Sequence, residues 1–186
     1  MGRWLAILAV LGGSTASVAD EVVPICHGYS CITQVDIHFS SVQLQRMGDQ
    51  LANAVDAADE RKILAEVIGQ LYAWAGEQSS IRNDRAGNFA DDHQPGRMDC
   101  IDHSLSTTRL LHLLETRGDL RWHRVVDRVQ RVFALVLFAH WSAVIEEKND
   151  GQDTVRFAVD SWFVNNGEPA VILPLDDWMK GAGPDV

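Results

Sequence analysis

AHWSAVIEEKNDGQDTVRFAVDSWF, Ala139 to Phe163, is the stretch that decides the fold. Asn149-Asp150-Gly151 is a strong hairpin turn signal between two apolar runs. After it, Val155, Phe157 and Val159 alternate with Arg156, Ala158 and Asp160, the period of a half-buried strand. Before it, about Leu137 to Glu146 reads as a central strand. The two strands are therefore antiparallel neighbours. Each carries a polar residue mid-strand among apolar neighbours, His140 and Asp160. Both lie about ten residues from Gly151, so pairing about the turn sets them roughly opposite each other. A carboxylate and an imidazole on facing strands are close enough to bond. Such a pair serves either as part of a catalytic group or as a self-satisfied pair in the core.

Working outward, Arg121–Val129 reads as a further strand, and Ala170–Leu175, after the turn residues Asn165–Pro169, as a short last one. Upstream the period becomes helical. In GRMDCIDHS, Gly96–Ser104, Asp99 is a good N-cap and Asp102 stands at capping-box spacing, which makes Cys100 the first helical residue. Ile101, Leu105, Thr108, Leu111 and Leu114 form the expected buried face, His103 faces solvent, and Gly118 terminates the helix. Ser79–Met98 has no period and reads as a long ordered loop. Residues 40–78 read as a helical hairpin. Its first stripe is Val42, Leu44, Met47, Leu51, Ala54, Val55 and Ala58; its second is Leu64, Val67, Ile68, Leu71, Tyr72 and Ala75. Residues 20–39 form a short lead segment. Helices followed by an antiparallel sheet make an α+β domain spanning 20–186.

The first 19 residues have the make-up of a secretory leader. Arg3 is followed by the apolar run Trp4–Leu11, too short to span a bilayer, and Ser17-Val18-Ala19 fits a small-residue cleavage site before Asp20. The expected location is exported, periplasmic or secreted. The chain carries 16 Lys and Arg against 26 Asp and Glu, a formal −10, and the leader holds only Arg3 of these. That charge disfavours nucleic acid and anionic membrane as partners. No membrane span is expected once the leader is cleaved.

Three cysteines are present. Cys26 and Cys31 flank a turn-forming HGYS segment, and an oxidising compartment would close such a pair as a disulfide. Cys26, His27 and Cys31 could also ligate zinc, but no fourth ligand lies nearby. Cys100 is left odd. A free thiol in an exported protein is either buried and inert or kept for reactivity. At a helix N-terminus, the exposed amides and the dipole favour its thiolate.

A cysteine opening a helix, then a strand histidine, then an aspartate on the next strand resembles the transglutaminase-like cysteine peptidases within the papain-like group. The phrases MDCID, AHWSAVIEE and FAVDSWF carry the resemblance, over about Arg97–Trp178. It is similar in particular to exported bacterial members of that group. The resemblance implies a papain-like core over 98–178, with Cys100 as nucleophile, His140 as general base and acid, and Asp160 as orienter. Gln94, six residues before Cys100, stands where such peptidases carry an oxyanion glutamine. Two features depart from the pattern. Asp99 and Asp102 replace small residues around the cysteine and oppose its ionisation, and Ser161 stands where the group often has proline.

The expected function is thus thiol acyl transfer on an amide or ester of a peptide or protein substrate, with no cofactor. Two other readings stand beside it. One is a non-catalytic binding or assembly protein that keeps the fold. The other is a metal-binding module built from Asp91, Asp92, His93, Asp99, Cys100, Asp102 and His103, although their spacing matches no zinc motif. Trp141, Trp162 and Trp178 are expected as core or cleft walls.

Overall fold

A computed structural model describes residues 19–87, 91, 93–133, 138–148 and 154–184. Residues 1–18 of the expected leader, Asp92 and the Asn149–Gly151 turn lie outside them. The lead segment is a β-hairpin, β1 (Glu21–His27) paired with β2 (Thr33–Phe39). Then come α1 (Ser41–Ala52), α2 (Ala57–Gln78) and a 3-10 turn at Ser80–Asn83. After the loop follow α3 (Cys100–Thr116), β3 (His123–Phe133), β4 (Phe138–Glu147), β5 (Arg156–Asp160), β6 (Val171–Pro174) and α4 (Leu175–Met179). Strands β3-β4-β5-β6 form an antiparallel meander in sequence order. The α+β order expected from the sequence is observed, with a hairpin added in front.

Local chemistry sets the helix starts. Ser40 and Gln43 form a capping box at α1, and the Asp56 side chain accepts from the Asp59 amide at α2. Each cap stabilises its helix by about 1 kcal/mol. The two expected stripes meet in one core, with Leu44, Met47 and Leu51 against Leu64, Val67, Ile68, Leu71 and Ala75. Val42, Val55 and Ala58 were expected in the first stripe but are exposed: Val42 stands two residues from Leu44, on the far side of the helix, and Val55 and Ala58 follow its end. The same core takes Ile25, Ile37 and Phe39 from the hairpin and Ala143, Ile145, Phe157 and Val159 from the sheet.

The sheet has two covered faces. Strand alternation sends Phe157 and Val159 into the main core, while Ala158 joins a second cluster with Trp162, Phe163 and Trp178. Asp160, two residues on from Ala158, shares that second side. Among the described residues, no helix is long and apolar enough to cross a membrane.

The buried face of α3 includes Leu111 and Leu114 as expected but differs over its first turns. Ile101, Leu105 and Thr108 are only half-buried, and Asp102, His103, Ser106, Thr107, Leu110, Leu111 and Leu114 face inward. The apolar period misleads because this helix buries polar side chains that find partners. Tyr72 Oη bonds Thr107 Oγ1 at 3.0 Å, and Ser106 Oγ accepts the Cys26 amide at 2.9 Å.

Candidate functional site

Cys100 opens α3, as the capping residues require. Asp99 accepts the Asp102 amide at 2.8 Å, and Asp102 accepts the Asp99 amide at 3.1 Å, which closes the capping box. The Cys100 thiol is half-buried and is the free cysteine. Its Sγ lies 3.8 Å from the Ala139 carbonyl oxygen, on β4 immediately before His140. The start of α3 is thus docked on the strand segment that carries the histidine.

His140 and Asp160 are bonded, Nε2 to Oδ2 at 2.7 Å, and both are buried. The β4–β5 ladder pairs Ala143 with Val159, a register two residues from that expected. His140 therefore reaches Asp160 diagonally across the sheet, within the range such neighbours span. The shift is even, so both side chains stay on one face. Asp160 is held further: Oδ2 also accepts from Trp178 Nε1 at 2.8 Å, and Oδ1 from the Trp162 amide at 3.2 Å. Trp162, Phe163 and Trp178 surround the imidazole with ring centroids 4.7–5.5 Å away. Arg131 faces His140 across β3–β4, stacks on Trp178 at 4.4 Å, and donates to the Trp178 and Ala182 carbonyls. Among the described residues, Nε2 is the only imidazole nitrogen of His140 with a hydrogen bond, and the thiol and imidazole share none.

Electrostatics at the thiol run against easy ionisation. Burial pushes the Cys100 thiol up to about 11, and the negative charges of Asp99 and Asp160 add to the rise. The amides of Trp141 and of Cys100 itself favour the thiolate and offset part of it. At neutral pH the resting sulfur is an S–H.

The other sequence candidates have separate positions. Gln94 is exposed in a turn, its amide on the Asp91 carbonyl at 2.8 Å. His103 is buried, contrary to the solvent-facing position expected of it. Its Nε2 bonds Asp84 Oδ2 at 2.9 Å and its Nδ1 bonds Ser161 Oγ at 2.8 Å. Ser161 also bonds Thr107 at 2.8 Å, and Asp84 Oδ1 accepts the Met98 amide at 2.9 Å. This network fastens the first turns of α3 to the residue after Asp160. Sequence reading missed it, since the only signal was a set of polar residues at helical spacing. Among the described residues, the expected metal-binding set is not gathered at one point: Asp91 bonds Tyr29 and Arg97, Asp99 and Asp102 cap α3, and His103 turns inward. Among the described residues, one group has metal-ligand proximity, Cys26, Cys31 and Asp102, and its cysteines form the expected disulfide, with Cα atoms 4.7 Å apart.

Comparison with protein-family models, curated proteins and solved structures finds no match to this chain.

Proposed function

We propose that this chain is an exported thiol enzyme of the acyl-transfer class, acting on an amide or ester of a peptide or protein. The observation that carries the reading is the buried His140–Asp160 pair, one residue along β4 from the carbonyl that Cys100 Sγ touches at the start of α3. Asp160 holds His140 Nε2 and so leaves Nδ1 as the basic nitrogen. In the reaction, Sγ leaves the Ala139 carbonyl and attacks the substrate carbonyl carbon, while its proton passes to Nδ1. The amides at the start of α3 receive the oxyanion. The C–N or C–O bond then breaks as Nδ1 returns the proton to the leaving group. Water or an amine next attacks the thioester and regenerates the thiol. Because the resting thiol is protonated, His140 acts as a general base during attack and not as one half of a standing ion pair.

Incubation with an activated ester tests this. Intact-mass analysis should show an acyl group on Cys100, absent in Cys100→Ala and slowed in His140→Ala. Acylation that His140→Ala leaves unchanged would contradict the mechanism.

A second reading has its own support. The thiol's raised pKa and its bond to Ala139, not to His140, suit a non-catalytic protein that keeps the same core. That reading predicts no acylation of Cys100 in either protein.

A further inference from the structure

The tip of the β1–β2 hairpin has a backbone that needs external support. Gly28, Tyr29, Ser30 and Cys31 all have positive φ, +82°, +68°, +53° and +56°. Three of them carry a Cβ, and such a run persists only where its surroundings fix it. Two things fix it here. One is the Cys26–Cys31 bridge. The other is the pair of carboxylates that cap α3. The Tyr29 and Cys31 amides donate to Asp102 Oδ2 and Oδ1 at 2.8 and 2.6 Å, and the Ser30 amide donates to Asp99 Oδ2 at 2.9 Å. Successive amides in this conformation form an anion-binding concavity.

The same tip grips the approach to α3 and its second turn. The Gly28 amide donates to the Arg97 carbonyl at 2.8 Å, Tyr29 Oη to Asp91 Oδ1 at 2.7 Å, and the Cys26 amide to Ser106 Oγ at 2.9 Å. Every one of these contacts is long-range in sequence, and they bracket Cys100 on both sides. Asp99 and Asp102 thus have two tasks at once: they close the capping box, and they receive three amides whose dipoles offset the negative charge beside the thiol.

We propose that the disulfide-closed turn Gly28–Cys31 is the positioning element for Cys100, and that opening the bridge uncouples the thiol from His140. The proposal rests on the reading of Cys100 as the reactive thiol. Opening requires a dithiol reductant. Two electrons and two protons pass to the bridge, the S–S bond breaks, Cys26 and Cys31 become thiols, and the dithiol becomes a disulfide. The freed turn relaxes from its left-handed conformation, and Asp99 and Asp102 lose their three donors.

The test compares the bridged protein with Cys26→Ser/Cys31→Ser, each with and without His140→Ala. Cys100 is then the single free thiol in all four proteins, so iodoacetamide labelling followed by intact mass reads it alone. His140→Ala should slow labelling at least tenfold in the bridged protein and less than twofold in the opened one. An equal His140 effect in both would overturn the proposal. Hydrogen exchange reads positioning without reference to catalysis. The Asp102 and His103 amides should lose at least tenfold protection when the bridge opens, and unchanged protection would overturn the proposal. A bridged protein indifferent to His140→Ala, with protection still lost on opening, would instead overturn the thiol-enzyme reading and leave the bridge as the support of α3. If the double serine variant does not fold, Asp102→Asn in the bridged protein should show the same losses in smaller degree, and its failure to do so would overturn the proposal.

Discussion

At the scale of single residues, Asp160 is the most constrained group in the candidate site. It accepts from His140, Trp178 and the Trp162 amide while almost fully buried. Asp160→Asn keeps the shape but offers an amide group where Nε2 and Trp178 Nε1 need acceptors. Acylation of Cys100 should fall by about 10²-fold or more, since the imidazole loses both its orienter and its fixed tautomer. Trp178→Phe removes one charge-assisted bond and should lower stability by about 1.5–3 kcal/mol, read by urea unfolding, with His140 still bonded. The His140–Asp160 pair was legible from an imidazole and a carboxylate set among apolar residues on two strands joined by a turn signal, and the place of Cys100 from the cap at Asp99. The shared face was legible too, but the pairing was two residues off, because the turn between β4 and β5 sets the register and turn signals do not fix loop length. His103 and Ser161 were not legible in their roles. Their bonds join residues 58 apart in sequence, and no local pattern announces such a contact.

At the scale of elements, α3 explains both what the sequence revealed and what it concealed. Its start was readable, since Asp99 and Asp102 obey local capping chemistry. Its buried face was not, because Asp102, His103, Ser106 and Thr107 are buried through partners on other elements. Asp99→Ala removes the cap and the acceptor for Ser30, and should cost about 1–2 kcal/mol, measured as a lowered Tm. Asp99→Asn keeps an acceptor and should cost less. The β1–β2 hairpin was concealed for a similar reason. Its strands bury mainly Val23, Ile25, Ile37 and Phe39, too few to stand out, and its tip is shaped by the bridge and by α3.

At the scale of the whole molecule, the sheet separates a main core under the helices from an aromatic cluster over His140 and Asp160. The junction of α2 with β3 is tied by Glu60, which is fully buried. It accepts the Arg121 and Trp122 amides at 2.7 and 3.0 Å and bonds His123 Nδ1 at 2.8 Å. Burial alone would raise its pKa, but His123 and these amides outweigh burial and hold it below the ordinary carboxylate range. The folded state therefore binds this proton less readily than the unfolded chain. The stabilisation from Glu60 is present above pH 4.5 and is lost as pH falls through the lowered folded value. Glu60→Gln should destabilise the protein at pH 7, and the difference from the parent should shrink steadily below pH 4.5 in urea titrations. The α+β plan was visible from the order of helical and alternating segments, since each element signals its own period. The two-sided packing of the sheet, which places the histidine, was not, since it depends on what α4 and the C-terminal residues cover.

The account turns on whether His140 activates Cys100. The rate of Cys100 alkylation followed by intact mass from pH 5 to 11, in the parent and in His140→Ala, tests this most directly. The thiol, pushed up to about 11, leaves only an alkaline limb when the imidazole is absent. The account predicts a second limb in the parent, at lower pH than the alkaline one, that vanishes in His140→Ala. Superimposable profiles with a single alkaline limb would contradict it.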